Sequence, residues 1–376
     1  MTRAILLPVA TVLVFYLMAG AALLWDFAHR PYPPSPGIAE YEPVPVLHVK
    51  RHLVAKAKFP VIDIHSHPSW SGLPPEALVA VLDEVGVRSI VDLNGGWGEG
   101  LRHTVERYSL KFADRFIVFA NLNVHRIADP DFGVQQAKLL EEAVANGAKG
   151  LKVWKDLGTT LLDATGKPVP LDDDRLQPIW QKAAELRIPV LIHSADPTAF
   201  WLPLNEENER FREIYLARKF GWPWHIIGPE CPAKDLLLRQ RERMLEENPG
   251  TLFIAAHMAM VVEDLQYLGQ LLDRYPNLYV DLSAVVPDLG RMPYTSRRFF
   301  LRYQDRILFG SDVYPRAEVY RDYFRFLETF DEYIDYPVKE LGQGQWKIYG
   351  IGLPDSVLRK IYYANAEKVL GVESVK

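Results

Sequence analysis

The sequence predicts an α/β chain with one closed (β/α)8 barrel, and three observations carry that prediction. From Phe59 onward, short apolar strands alternate with amphipathic helices, which implies parallel βαβ units. Eight strand candidates are present, a number that favours closure over an open sheet. The first strand runs into His65-Ser-His67, where an open doubly wound sheet would carry a glycine-rich phosphate turn.

The elements follow in order. Ala4 to Trp25 is an uncharged apolar run behind Met1-Thr2-Arg3. As a helix it would span about 33 Å, enough for a bilayer core of about 30 Å. Arg3 and the terminal amine would stay inside and the rest of the chain would be exported. Ala19-Gly20-Ala21 makes a cleaved signal peptide the rival reading of residues 1–25. No cysteine follows the run, which argues against a lipoprotein anchor. Residues 26–58, with Pro31, Pro33, Pro34, Pro36, Pro43 and Pro45, form a stiff tether, and Lys50, Arg51, His52, Lys56 and Lys58 make its end basic. The barrel takes 59–376. Its strands are expected at Val61–His65, Ser89–Asn94, Phe116–Asn121, Gly150–Trp154, Val190–His193, Leu252–His257, Leu278–Leu282 and Ile307–Phe309. The long stretch 194–251 after the fifth strand, with Trp201, Trp222, Trp224 and His225, is expected to shape or cover the catalytic face.

Composition narrows the function. The chain is 48% hydrophobic and 24% charged, as for a globular protein with a large core, and its net charge of -5 argues against nucleic acid as a partner. The single cysteine, Cys231, rules out an intramolecular disulfide and is read as structural.

Barrel chemistry sits at the C-terminal ends of the strands. Period-two alternation in Val61-Ile-Asp-Ile-His-Ser-His67 turns Asp63, His65 and His67 to the axis and Ile62 and Ile64 to the helices. Two imidazoles on one strand face can meet one metal, and imidazole with carboxylate suits zinc. The fifth strand ends in His193, the sixth in His257 and the eighth in Asp312. A single histidine at such a place more often satisfies a backbone group. Four of the chain's 10 histidines and an aspartate at four strand mouths are hard to explain as core filling. On the fourth strand, Lys152 and Trp154 face inward, Leu151 and Val153 outward, and Lys155 is expected in solvent.

These residues resemble the amidohydrolase superfamily in order and spacing. Asn277-Leu-Tyr-Val-Asp281, Asp305-Arg-Ile-Leu-Phe-Gly-Ser-Asp312 and Tyr363-Ala-Asn-Ala-Glu-Lys-Val-Leu-Gly371 are similar to the branch around aminocarboxymuconate semialdehyde decarboxylase, which also holds hydrolases and hydratases. The resemblance covers 59–371. It implies one divalent metal, zinc with manganese or iron as alternatives, held by His65, His67, His193 and Asp312. Asp312 would also move protons, and His257 would polarise the substrate. Lys152 sits where binuclear relatives carry a carboxylated lysine that bridges a second metal. Otherwise it is a cation for a substrate carboxylate.

Trp154, Asn94, Asn123 and His225 are further candidates for substrate contact, and Asp281 for accepting a ligand histidine's N–H. Trp97, Trp154 and Trp201 favour a planar substrate. The first functional reading is a metal-dependent hydrolase of a small lactone, ester or amide. The alternative is non-oxidative decarboxylation of a small, aromatic carboxylate. The third is an inactive, membrane-tethered binding barrel, against which all five site residues speak. The expected partners are a small-molecule substrate and a membrane, and self-association is left open.

Overall fold

The computed structural model describes residues 3–30, 34–37, 40, 41, 43–221, 231–336, 343 and 346–372. The chain divides into two compact units, Met1–Pro43 and Val44–Lys376. The first holds one helix, Arg3–His29, whose part Thr11–His29 is long and apolar enough to cross a membrane, with mean hydropathy 1.8.

The second unit is the barrel. Its strands are β1 Val61–Ser66, β2 Val87–Asp92, β3 Phe116–Val118 continued by Ala120–Asn121, β4 Leu151–Val153, β5 Val190–Ile192, β6 Phe253–Ala255, β7 Leu278–Asp281 and β8 Ile307–Leu308. Every neighbouring pair is parallel. At the break in β3, Phe119 N–H donates to Asp92 and Ala120 N–H to Gly150, so the wall continues. The barrel closes where Ile64 N–H donates to Phe309 O (2.9 Å) and Ser66 bridges Val313.

Strand alternation sorts the apolar residues into two layers. Ile62, Val91, Ile117, Leu191, Ile254 and Leu308 pack inside, with Ala366, Val369 and Leu370 of the helix Asn365–Leu370 against them. Leu151, Val153, Val190 and Phe253 face the helices. Leu191 is fully buried in the inner layer. Leu191→Ala is expected to lower unfolding free energy by about 2–5 kcal/mol, because close-packed walls collapse only partly around the lost carbons. Urea melts measure it, and a loss under about 1 kcal/mol would contradict this packing.

The structure corrects β1. Ile62 and Ile64 lie inside, and Asp63 turns to the helical layer, where it accepts O–H bonds from Ser311 and from Tyr320 on the helix Ala317–Glu328. The cause is an irregularity between Asp63 and Ser66. There the N–H groups of Ser311 and Asp312 both donate to His65 O, and the inward-outward phase shifts by one residue. His65 thereby reaches the inside even though Asp63 does not.

The helix Lys234–Glu247 belongs to the barrel ring, so the excursion after β5 is shorter than the stretch 194–251 suggests. It contains the 3-10 turn Thr198–Trp201 and the helix Phe211–Phe220. Trp222, Trp224 and His225 lie outside the described residues. The end of the basic segment is laid on the barrel: His52 N–H donates to Asp331, Ala57 N–H to Val85 O and Lys58 N–H to Glu328.

Candidate metal centre

His65, His67, His193, His257 and Asp312 meet at the C-terminal mouth of the barrel because each lies at or just past the end of β1, β5, β6 or β8. Asp312 Oδ1 stands 3.0 Å from Nε2 of both His65 and His67. His257 Nε2 is 4.0 Å from Asp312 Oδ2. The far nitrogens are held from behind. His65 Nδ1 donates to Asp281 Oδ2 (2.9 Å), and His67 Nδ1 to Asn94 Oδ1 (2.6 Å). His257 Nδ1 donates to Ser283 O (2.8 Å). These bonds set the tautomers that leave each Nε2 lone pair facing the mouth. His193 Nε2 is buried without a hydrogen-bond partner, and its nearest carboxylate oxygen, on Asp196, is 3.8 Å away.

The electrostatics agree with a cation site. Burial opposes ionisation of Asp312, but His65, His257 and the imidazole hydrogen bonds outweigh it and hold the carboxyl well below its usual range. Burial, reinforced by His257, pushes His193 down to about 3, so it is a neutral imidazole, the form that ligates. The ligand atoms of His65, His67 and Asp312, two imidazoles and one carboxylate, all lie within 4.8 Å of one another, and the Nε2 of a third imidazole, His193, is orphaned. That set fits a divalent ion with open positions. Asp281→Asn is expected to weaken metal binding about 10- to 100-fold by loosening His65. A chelator-competition titration measures this, and an unchanged affinity would remove Asp281 from the support of the centre.

Lys152 is fully buried, its Nζ has no hydrogen-bond partner, and it lies 5.1 Å from the Trp154 ring centre. Burial lowers its pKa to about 8, with Asp312 and Asp281 opposing. Trp154 and Trp70 flank His67, with ring centres 5.5 and 3.8 Å away. Asn123 stands apart, capping the turn Val124–Arg126 through His125 N–H. Trp97 stacks edge-on with His125, and Trp201 donates its indole N–H to Pro232 O. Lys155, read as solvated, is instead paired with Asp196 at 2.8 Å in a site that leaves its side chain 13% exposed.

Sequence reasoning missed the backbone. Ala195, the run His257–Met260, Ala284 and Asp312 all have positive φ, between 51° and 68°. No glycine or asparagine marks these positions, and each costs on the order of 1–3 kcal/mol. They lie just beyond β5, β6, β7 and β8, so the strain is spent on aiming the mouth side chains. Fully buried Arg241 donates to Ala259 O and braces the run.

The sequence profile of a family described as amidohydrolase matches residues 62–372. The chain belongs to the amidohydrolase family. As an amidohydrolase-family barrel it is an enzyme, in keeping with the resemblance carried by its strand ends. No curated protein sequence matches it. Among solved structures, it is similar to an uncharacterized TIM-barrel protein from Bordetella bronchiseptica, at 15% identity over 84% of this chain and 99% of that one, with a TM-score of 0.51. It is also similar to a dihydroxybenzoic acid decarboxylase from Polaromonas sp. JS666 with bound manganese and the inhibitor 2-nitroresorcinol. There the identity is 17%, over 84% of this chain and 97% of that one, with a TM-score of 0.50. These likenesses establish the barrel fold.

Proposed function

We propose that this amidohydrolase-family enzyme is a metal-dependent, non-oxidative decarboxylase of a small aromatic carboxylate. One observation carries the choice over the hydrolase reading: the buried, unpartnered ammonium of Lys152 beside the histidine–aspartate centre. A buried ammonium without a hydrogen-bond partner is costly, and a substrate carboxylate completes it. A neutral lactone, ester or amide would not. The decarboxylase fold relative, with its manganese and ring-shaped inhibitor, supports the same reading.

His65, His67, His193 and Asp312 would hold one divalent ion, zinc or manganese, which supplies Lewis acidity toward the carboxylate and a neighbouring oxygen. Lys152 orients the carboxylate, and Trp70 and Trp154 bound the plane of the ring. The C–C bond to the carboxyl carbon breaks, carbon dioxide leaves and the electron pair stays on the ring carbon. A proton drawn from solvent takes the place of the carboxyl group on the ring carbon, passed in through His257 and Asp312, which stand 4.0 Å apart at the mouth. The apolar N-terminal helix supports an exported, membrane-attached enzyme.

The test is a panel of ortho-hydroxybenzoates and lactones offered to zinc- and manganese-loaded protein, followed by ring absorbance and released carbon dioxide. Carbon dioxide release that needs metal is the expected result. Lactone hydrolysis without any decarboxylation would overturn the choice.

A further inference from the structure

The mouth opens into a cavity of about 740 Å³ whose wall includes His193, His257 and Asp312 at one part and Arg210, Glu213 and Asp288 at another. Arg210 and Glu213 come from the excursion after β5, and Asp288 from the short helix Val286–Arg291 after β7. Arg210 donates to Glu213 Oε2 at 2.7 Å and to Asp288 Oδ2 at 2.6 Å. All three are 3–5% exposed.

Among the described residues, the charges there are shared unevenly. Lys155 answers Asp196, Lys234 answers Glu263, and Arg291 answers Glu209. Arg210 pairs, among the described residues, with two carboxylates at once, and burial raises the pKa of both Glu213 and Asp288 against the pull of Arg210. Among the described residues, Glu213 Oε1 has only a long contact, 3.4 Å, from Gln343. Asp288 Oδ1 has no donor among the described residues, although Asp288 is 5% exposed and lines the cavity. A buried, half-satisfied carboxylate is costly unless a donor or cation completes it. The lining of the same cavity also includes the apolar residues Phe200, Met260, Val262 and Val285.

We infer that Asp288 and Glu213 form a subsite for an ammonium group, so that the ligand carries a carboxylate at the metal end, an apolar middle and a cation at the far end. The carboxylate end rests on the function proposed above; the cationic end does not. Trio and ligand would complete one another: the ammonium donates to Asp288 Oδ1, which has no donor among the described residues.

The test is calorimetric binding to metal-loaded protein of para-methylbenzoate, its para-aminomethyl, para-aminoethyl and para-aminopropyl analogues, and benzylamine. The amino compound of fitting length is expected to bind about tenfold or more tighter than para-methylbenzoate, as a charge-assisted pair in a desolvated wall should. Asp288→Asn keeps an acceptor for Arg210 and should erase that gain while leaving para-methylbenzoate unchanged. If Asp288→Asn melts early, Glu213→Gln serves the same comparison. No gain from the amine in the parent, or a gain that survives both variants, overturns the subsite. Failure of the metal reading looks different: the carboxylate adds nothing, the amino compounds bind no better than benzylamine, and benzylamine binding alone, lost or kept in Asp288→Asn, decides the subsite.

Discussion

Asp312→Asn is expected to lower turnover about 10³-fold or more while the protein still folds, because general acid–base catalysis alone contributes about 10²–10⁴ and a ligand is weakened as well. The substitution keeps the size of the side chain. What it removes is the negative charge that faces Nε2 of His65 and His67 at 3.0 Å. An amide can neither hold the proton that the ring carbon needs nor balance a divalent ion. The φ of 64° at Asp312 adds a second reason for choosing asparagine, which tolerates the left-handed region better than other side chains. Loss of activity with an unchanged melting temperature of the metal-free protein would place the effect in the chemistry. Turnover within tenfold of the parent would show that Asp312 is not the proton-handling group, and His257 would take its place in the argument.

The parts of this site that were legible in the sequence are those that depend on where strands end. His193, His257 and Asp312 follow short apolar runs, and such runs stop where side chains must meet a ligand rather than a helix. On β4 simple alternation sufficed: Leu151 and Val153 pack outward, and Lys152 lies across from Leu191 inside. On β1 the same rule misplaced Asp63, Ile62 and Ile64, because the irregularity lies in the pairing of β1 with β2 and in contacts from beyond β8, where Ser311 N–H reaches Asp63 across 248 residues. The left-handed run at His257–Met260 was hidden for a related reason. Its strain is offset by partners elsewhere, such as Arg241, and a sequence window around the run contains none of them. Lys155 looked solvated because its counter-ion, Asp196, stands on the next strand's loop. The Arg210–Glu213–Asp288 trio joins two helices 78 residues apart at Arg210 and Asp288 and leaves no local pattern at all.

Metal content separates the two chemistries that Lys152 permits. The parent is expected to bind one equivalent of divalent metal. His65→Ala should lose it, since one of the two imidazoles beside Asp312 disappears along with its bond to Asp281. Lys152→Met should keep the metal yet lose at least about tenfold in kcat/KM, with the charged partner of the substrate carboxylate gone. The alternative runs through the same residue. A lysine whose pKa has been lowered to about 8 by burial has enough free amine near neutrality to be carboxylated, and a carbamate there could bridge two ions. In that case the parent would hold two equivalents and Lys152→Met would drop one or both. Metal analysis of the three proteins, purified without chelator, therefore reads out more than occupancy. One equivalent that survives Lys152→Met makes Lys152 a cation facing substrate, and the unpaired Nζ then argues for a carboxylate. Two equivalents that depend on it make Lys152 an anion facing metal, and the hydrolase reading becomes the stronger one.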